Sequence, residues 1–326
     1  MLIHNEIFNL NLSDYGIEIP LLDTRAEKCF NALKASPKLK NNLSKWHYTG
    51  PLEETFKEDW LLVHNKEYIN RLTGKEVDQE IIKAYELVKP DGTYHRYNPK
   101  NSKFPLKNLF KNAVLHCDGT YTASRIALKS GFSYFLGGGM HHAMSSEGRG
   151  FCPLNDIVIS IRKLQKDNQI RRAWIIDVDA HKGDGTAELC QKDPSIKTLS
   201  IHMKHGWPLD HTDYSAPEFI PSCIDIPIDE TENELYNQKL EQGLNDLKKS
   251  GTADLCLVVN GSDPYIYDAI PSADKLQLSL TDLLKRDLLV FNFLKDLNIP
   301  QAWVMAGGYG DKVWEVHFQF LERVLG

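Results

Sequence analysis

The 326-residue chain lacks the segments that direct proteins into or across membranes. Its first residues, Met-Leu-Ile-His-Asn-Glu, do not combine a basic stretch with a following apolar one, so they do not resemble a secretory signal. No run of apolar residues approaches the about 20 that a helix needs to span a bilayer. We therefore expect a cytoplasmic protein with no membrane partner.

An excess of positive charge is also missing. The formal net charge is −6, and no cluster of lysine and arginine stands out along the chain. Proteins that bind nucleic acids usually carry a basic patch that contacts phosphates. The composition therefore predicts no nucleic-acid partner, and it leaves the oligomeric state open.

Cysteines are few, and their spacing carries no known motif. None of the six belongs to a Cys-x-x-Cys pair, which argues against a disulfide framework and against a cysteine-rich structural zinc site. Several lie in apolar runs, so we expect buried free thiols in a reducing compartment. The positions are 29, 117, 152, 190, 223 and 256.

The chain alternates between predicted strands and predicted helices. Continuous apolar runs are typical of parallel strands that are covered on both faces; they occur at 132–137, 172–178, 196–202, 254–260 and 301–306. Apolar residues at helical spacing follow Tyr236 and Leu284, and Thr231 with Glu234 fits a capping box before the first of these helices. This alternation predicts an α/β fold around one parallel sheet. Two long loops, 88–105 and 204–224, are candidates for a functional role.

The most informative run is Trp-Ile-Ile-Asp-Val-Asp-Ala-His-Lys-Gly-Asp-Gly at 174–185. Side chains alternate between the two faces of an extended strand, so we expect Asp177, Asp179 and His181 to point the same way. Two carboxylates and an imidazole on one face, where an apolar strand gives way to glycines, indicate part of a metal site.

Polar residues follow every one of the five predicted strands. Each segment alone is more often a turn, a helix cap or packing than a site, but ligands of open α/β sheets bind beyond the carboxyl ends of the strands. Their convergence at one edge therefore favours a functional site. The segments are Gly137-Gly138-Gly139-Met140-His141-His142, Asp177 to His181, Ser200 with His202, Asn260-Gly261-Ser262-Asp263, and Ala306-Gly307-Gly308-Tyr309-Gly310.

These residue types supply the parts of a metal-dependent amide hydrolase. Asp179, His181 and Asp263 would give an oxygen, nitrogen, oxygen ligand set with open positions, which is typical of catalytic rather than structural zinc. A divalent ion would polarise a carbonyl and activate water, two histidines would move protons, and a phenol would donate to an oxyanion. The three glycines lack the Gly-Lys-Ser/Thr ending of a phosphate-binding loop.

Several motifs together carry a family resemblance. Gly-Gly-Gly-Met-His-His, Gly150-Phe151-Cys152 with Asn155-Asp156-Ile157, Asp-Val-Asp-Ala-His-Lys-Gly-Asp-Gly, Gly-Ser-Asp and Gly-Gly-Tyr occur in the order found in zinc-dependent histone deacetylases. The chain resembles this family from about residue 105 to the C-terminus, with a weaker trace near 20–25. Asp-Ala-His, and Arg286-Asp287 before Val290-Phe291, look most similar to the class IV branch and its bacterial relatives.

The resemblance implies a fold, an activity and two bound ions. The fold would be the arginase–deacetylase fold, a single domain over 1–326 with an eight-stranded parallel sheet flanked by helices on both faces. The activity would be hydrolysis of the amide of an acetyl- or acyl-lysine in a protein or peptide. One Zn²⁺ would be bound by Asp179, His181 and Asp263, and a structural K⁺ by Asp177, Asp179, His181 and Ser200.

Individual roles follow from the same resemblance. His142 would be the general base and His141 its electrostatic partner, and the two would be oriented by Asp184 and Asp177 respectively. Tyr309 would polarise the substrate carbonyl. A narrow tunnel for the acyl-lysine would have walls at Gly150, Phe151 and Trp207, with Ile270 at the gatekeeper position of the mouth.

Three positions depart from the family pattern. Lys182 replaces a second histidine or glutamine, and we expect its side chain to point away from the site with a structural effect at most. Ile19 replaces a histidine, which leaves open the cavity below the metal and the role of Arg25 there. Asp91 is a candidate for gripping the substrate, but a plain turn is the preferred interpretation of Pro90-Asp91-Gly92.

Three alternatives remain beside the acyl-lysine interpretation. Arginases share the fold with two Mn²⁺ ions, but the extra carboxylates that they need are replaced here by Gly183 and by Gly261-Ser262. An acetylpolyamine or another small acylated amine is possible, although the apolar Ile270 favours a less charged substrate. A non-catalytic binding protein would have lost a ligand or the tyrosine, and neither is lost.

Overall fold

The computed structural model describes residues 1–21, 24–209, 214 and 219–326. Eight strands form one sheet in which every neighbouring pair is parallel, in the order β3-β1-β5-β10-β9-β6-β7-β8. Two further strands, β2 and β4, pair antiparallel. The strands are β1 Leu2–Ile3, β2 Tyr15–Ile17, β3 His47–Tyr48, β4 Tyr97–Ser102, β5 Phe132–Phe135, β6 Ala173–Asp177, β7 Ile196–Met203, β8 Ile224–Ile228, β9 Leu255–Asn260 and β10 Gln301–Met305.

Helices connect the strands of the large sheet. They are α1 Thr24–Ala35, α2 Leu43–Trp46, α3 Lys57–Trp60, α4 Lys66–Thr73, α5 Val77–Ala84, α6 Lys107–Ser130, α7 Asp156–Lys166, α8 Asp184–Cys190, α9 Tyr236–Lys249, α10 Leu280–Asp296 and α11 Trp314–Leu325. None of the helices in the described ranges is long and apolar enough to cross a membrane.

The central strands are buried on both faces, which explains their continuous apolar sequences. Along β6, Trp174 and Ile176 belong to one apolar cluster, while Ala173 and Ile175 belong to another. Helices α9, α10 and α11 contribute to the first cluster, and α6 and α7 contribute to the second. Because strand side chains alternate with a period of two, these clusters lie on opposite faces of the sheet. The expected α/β architecture with helices on both faces is confirmed.

Four details of the sequence prediction need correction. The capping box lies two residues earlier than expected: Asp229 and Glu232 form it, and they begin a short 3₁₀ turn before α9. The 88–105 loop contains β4, and β6 ends at Asp177 rather than at 178. The three shortest or outermost strands of the large sheet, β1, β3 and β8, had no recognised signal. Part of the 204–224 loop, at 210–213 and 215–218, lies outside the described residues.

Candidate active site

The segments after β5, β6, β9 and β10 meet at one edge of the large sheet. Asp179 and His181 follow β6, and Asp263 follows β9, which is the strand next to it. One ligand atom from each lies within 4.8 Å of the other two, and all three residues are buried. The Nδ1 atom of His181 is 2.9 Å from Oδ2 of Asp263 and 3.2 Å from Oδ1 of Asp179.

This cluster suits a cation. Burial lowers the pKa of the His181 imidazole, but hydrogen bonds and charge from Asp179 and Asp263 outweigh it and raise the pKa to about 10. Two carboxylates that hold a proton so strongly also attract a metal, which would compete for the same imidazole nitrogen. Two oxygens and one imidazole nitrogen are donors that zinc accepts, so the residues fit the ion that the sequence predicts.

The common orientation of the ligands comes from a turn and not from an extended strand. Beyond the end of β6, the Asp179 amide donates to Oδ1 of Asp177 at 3.1 Å, and the His181 amide donates to Oδ1 of Asp179 at 3.0 Å. Asp177 itself turns toward His141. The strand that was expected to give the three side chains one face ends at Asp177, yet the turn after it leaves the Asp177 and Asp179 carboxylates both beside the His141 ring, at 2.7 and 3.7 Å.

The paired histidines are each bonded to a carboxylate. Nδ1 of His141 is 2.7 Å from Oδ2 of Asp177, and Nδ1 of His142 is 2.7 Å from Oδ1 of Asp184. The two ring centroids are 3.9 Å apart. A carboxylate at Nδ1 fixes the ring orientation and leaves Nε2 available for chemistry. The structure thus brings together the partners that the sequence analysis assigned to each histidine.

The two rings have opposite electrostatic environments. Burial, together with the positive charge of His141, lowers the pKa of His142 to about 3. Burial has the same tendency at His141, but the charges of Asp177 and Asp179 outweigh it and raise its pKa to about 9. In this environment His142 is neutral and can accept a proton, while His141 carries positive charge beside it.

The three glycines before the histidines are held by a residue that the sequence analysis quoted without a role. The Asp156 carboxylate accepts the amides of Gly139 at 2.9 Å and Met140 at 2.7 Å, and also the hydroxyl of Thr120. Gly138 and Gly139 have φ angles of +77° and +79°, which favour glycine. These hydrogen bonds to Asp156 fix the direction in which the chain leaves β5, and they thereby position His141 and His142.

Tyr309 reaches the site from the end of β10. Its amide donates to Oδ2 of Asp268 at 2.7 Å, and Oδ1 of the same carboxylate accepts the amide of Ile270 at 2.8 Å. Burial raises the pKa of the Tyr309 phenol well above its usual value, so the phenol keeps its proton and can donate it in a hydrogen bond. Asp268 therefore positions both residues, a role that its neighbours in sequence did not indicate.

Two cavities meet beside the metal-ligand cluster. Their shared lining is His142, Gly150, Phe151, His181 and Tyr309. The inner cavity continues below the cluster toward Arg25 and His116. The outer cavity opens between Trp207, Ile270 and Ser272, and Glu86 and Arg96 also line it.

The expected tunnel walls all contact this path. The Trp207 ring lies edge-on to His142, with centroids 4.5 Å apart, and the Phe151 centroid is 6.2 Å from that of Tyr309. A Cβ atom at Gly150 would lie 2.4 Å from the Trp207 ring and 2.6 Å from the His142 ring, so only glycine fits there. Gly150, Phe151, Trp207 and Ile270 thus all line the outer cavity.

Of the four residues expected to bind a structural cation, Asp179 and His181 line the inner cavity, whereas Asp177 and Ser200 line neither cavity. Ser200 is paired in register with Asp177 across β6 and β7, and its hydroxyl is 3.1 Å from Nδ1 of His202. His202 lines neither cavity and stacks on Tyr214. The grouping of His202 with the other strand-end residues is therefore wrong, because its ring points away from the cavities.

The departures from the family pattern have structural explanations. Lys182 points away as expected: its buried ammonium donates to Asp225 at 2.5 Å and to Ser222 at 3.0 Å. Arg25 donates to the Gly308 carbonyl at 2.8 Å at the inner cavity, while Ile19 joins the main core. Asp91 lines neither cavity and accepts from the amide and hydroxyl of Thr93, which confirms the turn.

Sterics argue against a second metal of the arginase type. A Cβ atom at Gly183 would lie 2.3 Å from Oδ2 of Asp177, and one at Gly261 would lie 2.3 Å from Oδ2 of Asp179. Any side chain at either position would therefore displace a carboxylate of the site. Within the described ranges, Asp179, His181 and Asp263 are also the one group of three or more His, Cys, Asp or Glu residues whose ligand atoms all lie within 4.8 Å of one another.

Comparison with known proteins identifies the family. The model of the histone deacetylase domain matches residues 20–321, which extends well before the sequence motifs. Histone deacetylase 2 of Arabidopsis thaliana is 30% identical over 260 residues, which cover 79% of this chain and 62% of that protein. The chain covers between 62% and 65% of the first curated relatives that it matches.

Solved structures show the same fold. An HDAC homolog from Aquifex aeolicus superposes with a TM-score of 0.69 at 22% identity, covering 99% of this chain and 83% of that one. An acetylpolyamine aminohydrolase from Burkholderia pseudomallei superposes with a TM-score of 0.71 at 15% identity, covering 98% of this chain and 97% of that one. At these identities the likeness concerns the fold alone.

Proposed function

Because the chain belongs to the histone deacetylase family, we propose that it hydrolyses the amide of an acyl-lysine side chain. The observation that carries this proposal is the arrangement around the two cavities. Two of the three ligand residues, the pair of carboxylate-bonded histidines and the protonated Tyr309 phenol line the two joined cavities, and Asp263 completes the ligand cluster. Together these groups supply the activation of water, the proton transfer and the oxyanion stabilisation by which an unactivated amide can be hydrolysed.

Zinc would be held by Asp179, His181 and Asp263, which fit it by donor type and proximity. When bound, this ion supplies Lewis-acid chemistry, since it polarises a carbonyl and lowers the pKa of water. Backbone amides keep both carboxylates in place: Gly307 donates to Oδ2 of Asp179 at 2.8 Å, and Ala180 donates to Oδ1 of Asp263 at 3.0 Å.

Each remaining residue has a task that follows from its contacts. His142, oriented by Asp184, removes the proton from the attacking water and delivers it to the leaving amine. His141, oriented by Asp177, stays charged and stabilises the negative charge that develops on the acyl oxygen. The Tyr309 hydroxyl donates to the same oxygen. Gly150, Phe151 and Trp207 enclose the substrate chain, and their apolar surface excludes water from the amide.

A structural K⁺ bound near Asp177 and Ser200 is part of the proposal. Oδ1 of Asp177 and the Ser200 hydroxyl belong to adjacent strands in register, so both oxygens border the same side of β6. We also treat 1–326 as one catalytic domain, because the strands of the large sheet extend from Leu2 to Met305. Among small acylated amines, a polyamine remains the second candidate substrate.

The proposal is tested with the purified protein loaded with zinc. We expect about one zinc per chain, turnover of acetyl-lysine or longer acyl-lysine peptides, and inhibition by a hydroxamate. His142→Ala should retain the zinc and lose nearly all turnover, whereas Asp91→Asn, at an exposed turn, should behave as the wild type. A zinc-loaded protein that hydrolyses no acyl substrate, or full activity of His142→Ala, would refute the proposal.

A further inference from the structure

The mouth of the outer cavity carries two charges of opposite sign. Glu86 follows α5, and Arg96 precedes β4. Both are half-buried, and both line the cavity whose floor is formed by His142, His181 and Tyr309. Neither residue was selected from the sequence, although Arg96 lies in the 88–105 segment that was marked as a candidate loop.

A short closed loop sets these two residues at its base. The His95 amide donates to the Leu87 carbonyl at 2.8 Å, and Val88 forms an antiparallel bridge with Tyr94. Glu86 comes directly before Leu87 and Arg96 directly after His95, so the two residues flank the hydrogen bond that closes the loop. The Phe151 amide donates to the Ala84 carbonyl at 2.8 Å, which ties the base of the loop to the tunnel wall.

Residues with an unfavourable backbone conformation are concentrated at the mouth of the outer cavity. Outside glycine, five of the described residues have positive φ angles. Two are asparagines, which tolerate this conformation. The other three, Glu86 at +55°, Arg96 at +52° and Phe151 at +66°, all line the outer cavity. Strained backbone of this kind concentrates at sites that bind ligands.

Both charges have His95 as an electrostatic neighbour, and neither is part of an ion pair among the described residues. Over the described ranges, neither side chain makes an ion pair or hydrogen bond, including with the other. A second arginine nearby is different, because Arg149 is paired with Asp184 at 3.1 Å and lies over the Trp207 ring. The unpaired carboxylate and guanidinium are thus available to a ligand in the cavity.

We propose that Glu86 and Arg96 bind the α-ammonium and α-carboxylate of a free amino acid, so that the preferred substrate is free Nε-acyl-lysine. This proposal rests on the proposed deacylase function. Arginine binds carboxylates in a bidentate manner, and a glutamate beside it suits an ammonium. Hydrolysis breaks the acyl C–N bond, forms a C–O bond from water, and releases a carboxylate and lysine with a charged ε-amine.

The same pair of charges disfavours the competing substrates. In a protein or peptide, the α-nitrogen and α-carbonyl of lysine are in peptide bonds and carry no charge, so both contacts are weakened. A polyamine would be attracted by Glu86 but repelled by Arg96. Only an amino-acid head group satisfies both charges at once.

The test compares acetylated compounds that differ in the head group alone. They are free Nε-acetyl-lysine, its α-carboxamide, its Nα-carbamate, the doubly capped derivative, and acetylcadaverine, which lacks the carboxylate. An exposed ion pair changes binding by up to roughly fivefold, so the loss of both contacts should raise KM by up to roughly 25-fold with little change in kcat. The free amino acid should therefore have the lowest KM.

Two variants identify the contacts. Arg96→Gln should abolish the difference between free acid and carboxamide, and Glu86→Gln should abolish the difference between free amine and carbamate. Lys89→Gln is the matched control, because Lys89 is exposed in the same loop and lines neither cavity. Thermal unfolding of each variant verifies that it is folded.

The outcomes separate this proposal from the one on which it rests. Equal or better turnover of the doubly capped compound, or of acetylcadaverine, overturns the amino-acid proposal and leaves the deacylase proposal intact. The same is true if Lys89→Gln changes head-group selectivity as much as the other variants. If the zinc-loaded protein hydrolyses none of the compounds and no acyl peptide, both proposals fail.

Discussion

Replacing Arg286 by methionine tests whether a buried guanidinium holds the metal-ligand segments together. Arg286 lies in α10 and is fully buried. Its Nη1 donates to the carbonyls of Val178 at 3.0 Å and Gly261 at 2.8 Å, which adjoin the segments of Asp179 and Asp263. Its Nε donates to the buried carboxylate of Asp287 at 2.8 Å. Methionine keeps much of the volume and removes these contacts, together with the one from Nη2 to Oδ1 of Asn260 at 3.3 Å.

The expected loss of stability is large. Removing one partner of a buried ion pair leaves the other charge without compensation, which costs about 3–5 kcal/mol. The two carbonyls also lose a charged donor, so the turns after β6 and β9 become less restrained. We therefore expect Arg286→Met to unfold at clearly lower urea concentration and to bind zinc more weakly than the wild type.

Two comparison variants make this measurement specific. Lys285→Met changes the neighbouring residue of the same helix, whose ammonium is exposed and pairs with Asp282 at 3.5 Å, so it should cost less than about 1 kcal/mol. Arg286→Met combined with Asp287→Leu should recover part of the loss, because no buried carboxylate is left alone. If Arg286→Met matches Lys285→Met in urea unfolding and zinc affinity, the reasoning is refuted.

Three further predictions concern the site. Tyr309→Phe should lower kcat by about 10²–10³-fold with unchanged zinc content, because it removes one donor to the oxyanion; an unaltered kcat would contradict its role. Lys182→Met should cost about 3 kcal/mol in urea unfolding, since it leaves Asp225 without its cation, yet keep one zinc per chain. Gly183→Asp should reduce bound metal rather than add a second ion, since its Cβ would strike Asp177; two ions per chain in metal analysis would contradict this.

Much of the fold was readable because the central strands are buried on both faces. The segments at 132–137, 172–178, 196–202, 254–260 and 301–306 correspond to five observed strands within two residues at each end. The two-residue strands β1 and β3 gave no signal, because two residues carry no periodicity. The capping box was misplaced because Asp229 can cap as well as Thr231, and only the local geometry selects between them.

The features of the site likewise fall into those that the sequence predicted and those that only the structure revealed. The chemical types of the candidate ligands and their order along the chain carried the family resemblance, and that resemblance predicted the metal-ligand set and the carboxylate beside each histidine. The motifs behind it depend on residue identity and on short spacings within each segment. The contacts of Asp156, Asp268 and Arg286 depend on turns and helices that approach from distant parts of the chain, and no short spacing encodes them.

The sequence by itself therefore determined the family and the prediction of a metal centre, because metal ligands and proton carriers are restricted to a few side chain types, and these follow the strands. The tertiary structure alone decided how Asp177, Asp179 and His181 are arranged around the site, since a turn replaces the strand after Asp177. It also decided that Glu86 and Arg96 both line the mouth of the outer cavity. Those two residues are ten positions apart, and the loop closure through Leu87 and His95 brings them together.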